Sequence, residues 1–417
     1  MSFLLSSDNV FNYLLEQKIC EEKDRTFVQV TAEDYKNFNL WVNLESRSFL
    51  VKQERPNAQG KTGVDFGPEW RMHKMLRHFP ELQHLRSSTS EILHFDPERS
   101  ILVLTYLNNA VDLRQFYETS EIFPVAIAFN VGKTLAKFHQ STYEQEEYRL
   151  YLTEPSEPYP IRSKIPQFLR GLEQIGPEIF GQVCKDALEF WRLYQRYESL
   201  HQAMVEVSQT FTPCCLTHND LNLQNILVET IGNAQENSTQ EDSVQEDSEK
   251  NTVFQLDPCP PVRLIDWEFL SWGDPAFDLA MVLSNYLKLW LNSLVISNAI
   301  HLETALQLAG IPLEQLQPSL STLVCAYLKQ FPEILTHRPD FLKQVMQFTG
   351  LILIKRVQGK LAQLSPFSNI SICTLQVAKT LLCRPEASIS MVFGLTPTDL
   401  NAACQNQPEV NIAEKTA

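Results

Sequence analysis

Two short blocks gather most of the residues able to do chemistry. In THNDLNLQNILV, Thr217 to Val228, the polar residues His218, Asp220, Asn222, Gln224 and Asn225 interrupt an apolar, strand-like run. In VRLIDWEFLSWGDPAFDLA, Val262 to Ala280, Asp266 closes a second apolar run. A carboxylate in apolar surroundings is costly unless a cation meets it. One Asp and one Asn oxygen are a suitable partial shell for magnesium, a hard cation that prefers oxygen ligands and keeps some of its waters. Phosphoryl transfer from ATP asks for little more: metal held against the phosphates, and a carboxylate to orient or deprotonate the attacking hydroxyl. On that chemistry Asp220 serves the hydroxyl, while Asn225 and Asp266 hold the metal. Asn225 supplies an oxygen without adding negative charge beside the phosphates. Asn219, Asn222 and Gln224 read as loop residues that hydrogen-bond local backbone.

Such residues need elements to position them. RTFVQV (25–30), NLWVNL (39–44) and SFLVKQ (48–53) have strand composition, and only ESR separates the last two. GPEWRMHKMLRHF (67–79) has helical apolar spacing. EILHF and ILVLTYL read as two further strands joined by DPER, whose Asp-Pro suits a turn. From Asn109 the pattern turns helical, over 125–140, over 187–207, and nearly throughout from Asp278 to about residue 395. The expectation is an α+β chain: a small β-rich lobe over 1–108 with one main helix, then a large, mainly helical lobe over 109–403. QEDS recurs in a stretch almost without apolar residues, so a disordered insertion is expected over 230–252. No glycine sits where an EF-hand turn needs one, so its acids are read as solvated rather than calcium-binding. The segment 404–417 is expected to be a flexible tail.

Composition narrows the function. The chain has 417 residues, 44% of them hydrophobic, and a formal net charge of −15. That balance speaks against nucleic acid or an anionic membrane as partner, since both ask for basic stripes. The nine cysteines show no CxxC spacing, and Cys214 and Cys215 read as small strand residues. A reducing, cytoplasmic setting is expected. The N-terminus lacks a basic, cleavable leader, and the apolar stretch Ala280–Ile300 is broken by Ser284, Asn285, Lys288, Asn292 and Ser293. It reads as a core helix.

His218, Asp220, Leu221 and Asn225 fill the HxDLxxxN pattern of the protein-kinase-like superfamily. LIDWEFLSWGDPAFDLA closely resembles the metal-binding block of the aminoglycoside phosphotransferase and choline kinase-like family. The resemblance implies a bilobal kinase-like fold with its active site between the lobes, ATP and Mg²⁺ as cofactors, and a small-molecule hydroxyl as acceptor. It implies that Lys52, ending the third strand, binds the α- and β-phosphates, and that Glu69 of the following helix pairs with it. The backbone from Thr105 to Leu107 would meet adenine. His218 is implied to brace the loop rather than act as a base, and His139 to be a core residue. Asp274 and Pro275 read as helix N-cap and first helical residue. Asp278 is implied to be a buried acceptor for catalytic-loop N–H groups. Glu268 is open between a second metal and an outer position. The sequence does not select the acceptor, whose candidates are an aminoglycoside, an amino alcohol, a sugar or a homoserine-like compound; oligomeric state is not legible.

One departure weighs against full activity. The first glycine is Gly60, so the turn after the first strand, within TAEDYKNFN, has none of the glycines that let backbone N–H groups approach phosphate. Asn37 and Asn39 are the residues there able to adopt a left-handed conformation in their place. The alternative reading is therefore a catalytically weak, kinase-like nucleotide-binding or regulatory protein. A protein kinase fits less well, because no APE-like segment follows Asp266. The long separation of Asn225 from Asp266 is that of a hairpin whose base closes while its tip is extended, at an entropic cost that grows slowly with length.

Overall fold

The computed structural model describes residues 3–34, 37–57, 62–63, 66–154, 161, 185–231, 254–295, 304, 308–362 and 366–406. Two compact units emerge. The first comprises Met1–Glu121, Glu144–Ser163 and Leu223–Trp272, and the second Ile122–Tyr143, Lys164–Asn222 and Gly273–Ala417. The first unit thus contains the whole of 1–108 and also takes in the β-hairpin that carries Asn225 and Asp266. The QEDS tract, apart from its first residues, and the tail beyond Asn406 lie outside the described residues.

The first unit is built on strands β1 (Gln29–Asp34), β2 (Phe38–Asn43), β3 (Ser48–Gln53), β4 (Ile92–Asp96) and β5 (Ile101–Tyr106). They form one antiparallel sheet in the order β1-β2-β3-β5-β4. Alternation along the strands sorts their side chains between two faces. Val51, Ile101 and Val103 pack on one face with Val10, Phe11 and Leu14 of helix α1 (Val10–Glu16). Leu50, Leu102 and Leu104 pack on the other with Phe66, the N-cap of helix α2 (Gly67–His78), and with Trp70 inside it. Both faces are covered, which is why ILVL reads as a continuous apolar run rather than an alternating one. Each such side chain contributes about 1.5–3 kcal/mol on burial. Lys52 has the parity of Leu50, so its side chain lies on the α2 face.

The strand expected over 25–30 starts later than its composition suggests. Glu22–Phe27 is a 3-10 turn, held by a reciprocal cap between Glu21 and Asp24 and by the Arg25–Glu22 ion pair. The β1–β2 connection is tight, because Asp34 already pairs with Phe38; Tyr35 and Lys36 lie outside the described residues. Neither Asn37 nor Asn39 takes a positive φ, and Asn39 lies within β2. Left-handed Asn therefore does not replace the absent glycine.

A small second sheet completes this unit. Strand β6 (Ala110–Asp112) leads into helix α3 (Leu113–Ser120), capped by the Asp112 carboxylate. In the second unit, helix α4 (Val125–Thr142) is followed in sequence by α5 (Glu146–Thr153) of the first. The helix expected over 187–207 is two, α6 (Lys185–Gln195) and α7 (Glu198–Thr210). Between them Tyr197 is extended, and the Lys379 ammonium stands 3.4 Å from its ring centroid. Strand β7 (Cys215–Thr217) then precedes β8 (Ile226–Glu229) and β9 (Val262–Leu264). The last two pair antiparallel, and β6 flanks β8. The Glu229 N–H donates to Pro261 O at 3.0 Å and Ile231 N–H to Gln255 O at 2.8 Å, so the hairpin base is closed as expected.

After one more short strand, β10 (Ser271–Gly273), the described elements are helical: α8 (Pro275–Asn292), α9 (Leu313–Gln330), α10 (Glu333–His337), α11 (Phe341–Ala362), α12 (Asn369–Cys383), α13 (Pro385–Phe393) and α14 (Pro397–Asn406). Helices α4 and α9 cross at Gly132, where a Cβ would stand 2.1 Å from Leu323 O, so only glycine allows that approach. Helix α11 packs against both α8 and α12. A disulfide joins Cys325 of α9 to Cys404 of α14, whose Cα atoms are 4.4 Å apart, a bond that the expected reducing setting does not foresee. No helix among the described residues is long and apolar enough to cross a membrane.

One buried ion pair fixes the start of α8. Asp274 caps it by accepting the Ala276 N–H at 2.9 Å and also takes the Thr212 N–H at 2.8 Å. Arg338 grips the same carboxylate with two bonds, at 2.7 and 2.8 Å, and the two side chains are 9% and 0% exposed. Arg338→Ala would leave a buried carboxylate without its cation. It should cost about 3–5 kcal/mol in equilibrium unfolding of the full chain. A loss below about 1 kcal/mol is what a solvated pair would give and would contradict this burial.

Candidate active site

The second unit holds Asp220 on a loop whose shape is imposed by one carboxylate. Asp278, in the first turn of α8 and fully buried, accepts the His218 N–H at 2.6 Å and the Asn219 N–H at 2.7 Å. The role implied for it by resemblance is the one it plays. Its oxygen Oδ2 also meets His139 Nε2 at 3.3 Å, and His139 Nδ1 lies 2.8 Å from the Tyr327 hydroxyl, so His139 is a satisfied core residue. Asn219 turns the chain with φ +64°, a conformation Asn tolerates better than most residues. Its amide donates to Thr217 O at 3.2 Å. His218, fully buried, accepts the Asp220 N–H on Nδ1 at 3.3 Å. It braces the loop, as expected.

Asp220 is half-buried, and its side chain is held from the next turn of the loop. The Asn222 amide donates to Asp220 Oδ1 at 2.6 Å, and the Asn222 N–H donates to Asp220 O at 2.8 Å. The other end of the Asn222 side chain accepts from Arg356 Nη2 of α11 at 3.3 Å. Arg356 Nη2 also donates to Asn285 Oδ1 at 2.5 Å, and Asn285 in turn donates to Leu221 O at 2.7 Å. Asn222 is thus not merely a local backbone binder. Arg356 is a functional candidate that the sequence did not reveal, since no motif surrounds it.

The first unit gathers the remaining predicted residues. Lys52 Nζ donates to Asp266 Oδ1 at 2.9 Å across a sequence separation of 214 residues. The lysine is 12% exposed and the aspartate 30%. Burial pulls the Lys52 pKa down, but Asp266, then Glu69 and Glu268, outweigh it and hold the ammonium above its ordinary range. The expected partner Glu69 makes no ion pair with Lys52. It is 2% exposed, its Oε2 is without a hydrogen bond, and burial pushes its carboxyl up to about 7 despite Lys52 nearby. The lysine has one ammonium to give, and Asp266 takes it. Asn39, directly across β2 from Lys52, has a buried Oδ1 also without a partner.

Asn225 and Asp266 sit at one end of the β8–β9 hairpin. The Ile265 N–H donates to Asn225 O at 3.0 Å, which puts Asp266 one residue beyond a paired position. Asp266 has φ +64°, a left-handed turn that breaks the strand direction. No cluster of three or more His, Cys, Asp or Glu side chains among the described residues makes a metal cage. Asp266 and the Asn225 side-chain oxygen suit magnesium nonetheless, because that ion is commonly held by few protein oxygens plus water and phosphate. The unpartnered oxygens of Glu69 and Asn39 beside Lys52 mark the same end of the sheet as built for further cationic or donor groups. At the expected adenine segment, Thr105 N–H is taken by Glu91 O at 2.9 Å and Leu107 O by the Ala110 N–H at 3.3 Å.

The choline/ethanolamine kinase family pattern matches residues 114–292. No curated protein matches the chain. Among solved structures, an ethanolamine kinase of Plasmodium vivax aligns at 14% identity over 92% of this chain and 90% of that one, with a TM-score of 0.53. A choline/ethanolamine kinase family protein from Mesorhizobium loti aligns at 14% identity over 88% of this chain and 93% of that one, with a TM-score of 0.45. A thermostable mutant of an aminoglycoside phosphotransferase aligns at 13% identity over 89% and 97%, with a TM-score of 0.46. The first of these likenesses establishes the fold: a β-rich N-terminal sheet and a mostly helical remainder of protein-kinase-like type. The chain is therefore a small-molecule kinase, a phosphotransferase with an alcohol group as acceptor, carrying the choline/ethanolamine kinase pattern over residues 114–292 on a protein-kinase-like fold.

Proposed function

We propose that this kinase transfers a phosphoryl group from ATP, with magnesium, to the hydroxyl of a small molecule. The observation that carries the reading is the Lys52–Asp266 bond, which joins a buried strand lysine to the carboxylate of the IDWE block. In that reading Asp266 and Asn225 hold the metal, and Lys52 steadies the α- and β-phosphates. Asp220 orients the acceptor hydroxyl and takes its proton as the oxygen attacks phosphorus. The segment from Thr105 to Leu107 meets adenine. Magnesium, when bound, neutralises charge on the phosphates and makes the leaving group better. The protein's own contribution is positional: a half-buried Asp220 whose side chain the Asn222 amide orients, on a loop pinned by Asp278. The tight β1–β2 turn supports a second reading, a nucleotide-binding protein with weak catalysis.

ATP with Mg²⁺ should raise the melting temperature of the wild-type chain, by about 2.7 kcal/mol of stabilisation at a hundredfold excess over Kd. Asp266→Ala should lose the magnesium-dependent part of that shift. No shift with any nucleotide would overturn the reading. Asp220→Ala should bind ATP normally and lose transfer to any acceptor by two to four orders of magnitude, roughly the value of general-base catalysis. Full activity in that variant would remove Asp220 from the mechanism. Asp278→Ala strands the buried His218 N–H, at about 1–3 kcal/mol, and removes the partner of the part-buried Asn219 N–H. It should lower both stability and kcat, with the KM for ATP little changed.

A further inference from the structure

Two asparagines beside Asp220 take their orientation from one guanidinium. Arg356 of α11 is half-buried, and its Nη2 donates to Asn285 Oδ1 of α8 at 2.5 Å and to Asn222 Oδ1 at 3.3 Å. A further neighbour of that nitrogen, Met281 Sδ at 3.6 Å, is a weak acceptor. The two hydrogens of Nη2 thus go to the two amide oxygens. The other end of each amide reaches the loop that carries Asp220. Asn222 Nδ2 donates to Asp220 Oδ1 at 2.6 Å, and Asn285 Nδ2 donates to Leu221 O at 2.7 Å. Two successive loop residues are therefore held by two amides that share one cation.

Only one orientation of each amide satisfies these neighbours. A guanidinium has donors and no acceptor, while a carboxylate or carbonyl oxygen accepts and does not donate. Reversed, Asn222 would set N–H against N–H at Arg356 and oxygen against oxygen at Asp220. Asn285 would do the same at Arg356 and at Leu221. Asn285 is 3% exposed and Leu221 fully buried, so a bond lost there has little water to replace it. Removing the guanidinium frees both amides from this choice. Burial pushes the Arg356 pKa down to about 10 and the nearby Asp220 carboxylate pulls it up, so the group keeps its charge at neutral pH. That charge reaches Asp220 through an amide. A guanidinium in direct contact would pair with both carboxylate oxygens and make Asp220 a poorer proton acceptor, whereas the Asn222 amide takes one oxygen.

We propose that Arg356 is a positioning residue for phosphoryl transfer, fixing the direction of the Asp220 carboxylate through Asn222 and the backbone at Leu221 through Asn285. The inference rests on reading the chain as a small-molecule kinase with Asp220 at the acceptor hydroxyl. Asp278 pins the same loop from its other side, at the N–H groups of His218 and Asn219. Arg356 governs the residues that follow. In this role it needs no contact with acceptor or nucleotide. It acts on the step in which the hydroxyl oxygen gains the bond to phosphorus, its proton passes to Asp220, and ADP leaves. Small displacements of a reacting group cost rate steeply. The effect therefore falls on turnover and spares nucleotide binding.

The test has two arms on the full chain. One is hydrogen exchange over residues 216–224 without nucleotide. The other is ADP formation from ATP and Mg²⁺ with choline, with ethanolamine and with water alone. Arg356→Met and Asn222→Ala should each speed exchange in that segment and lower turnover about tenfold or more, with the KM for ATP unchanged. The double variant should stay within about twofold of the poorer single one, because both changes break one chain of bonds. Arg356→Lys keeps the charge but ends one bond short of Nη2, so it should not restore turnover; it also serves where Arg356→Met fails to fold. Losses that multiply in the double variant, full turnover in Arg356→Lys, or a raised KM for ATP in place of lowered turnover would each overturn the proposal. The exchange arm needs no acceptor, and unchanged exchange in Arg356→Met overturns it whatever the turnover. Exchange that depends on Arg356, in a chain where Asp220→Asn forms ADP at the wild-type rate, would instead refute the kinase role of Asp220 and leave the hold on the loop standing.

Discussion

The geometry around Asp220 depends on a carboxylate that does no chemistry. Asp278 accepts two successive loop N–H groups, of His218 and Asn219, from the first turn of α8. His218 is fully buried and Asn219 half-buried, so a neutral side chain too short to reach them would leave the His218 N–H unsatisfied and the Asn219 N–H without its protein partner. The left-handed Asn219 is the consequence: the chain must reverse there for both N–H groups to converge on one side chain. Everything downstream of that turn inherits its direction, including the Asp220 carboxylate. The position of α8 is therefore a condition of the loop's shape. The Asp274–Arg338 pair at the start of the helix fixes that position.

A different constraint governs the first unit. Its sheet is covered on both faces, so a charged side chain on an interior strand has no route to water except at the strand's end. Lys52 occupies that end, one residue before Gln53 closes β3. Once buried, it needs an anion, and Asp266 is turned toward it by a left-handed residue after β9. Glu69 then remains as a second carboxyl in the same field with no ammonium of its own. Two carboxylates beside one lysine is an arrangement short of positive charge, which suits a site that a metal-bound polyphosphate completes.

The legible features were those whose causes are local in sequence. The HxDLxxxN and IDWE blocks stand out because polar residues interrupt apolar runs, and the role of Asp278 is implied by the family resemblance of the second block. Helix α2 and strands β2, β3, β4 and β5 follow from periodicity, and the closed base of the β8–β9 hairpin follows from the strength of its two short strands. The misread elements were decided by side-chain bonds that periodicity does not register. Glu21, Glu22, Asp24 and Arg25 make a turn of a stretch with strand composition, and Tyr197 breaks a helix whose apolar spacing continues through it. The Lys52–Glu69 pairing failed for a competitive reason: both acids are in reach of one ammonium, and the sequence does not rank them. The Cys325–Cys404 bond joins helices far apart in the chain, and only packing brings them together.

Arg356 belongs to this last group, and it shows where a family pattern stops being informative. The pattern ends at residue 292, while Arg356 lies beyond it on α11. Its guanidinium nevertheless reaches the loop that holds Asp220, through the side chains of Asn222 and Asn285. The family pattern covers both the loop that holds Asp220 and helix α8, while α11, which carries Arg356, lies beyond its last residue. A kinase can keep its phosphoryl-transfer residues and change its substrate by altering elements outside them, because transfer needs the metal and base in fixed places and is indifferent to what the rest of the acceptor carries.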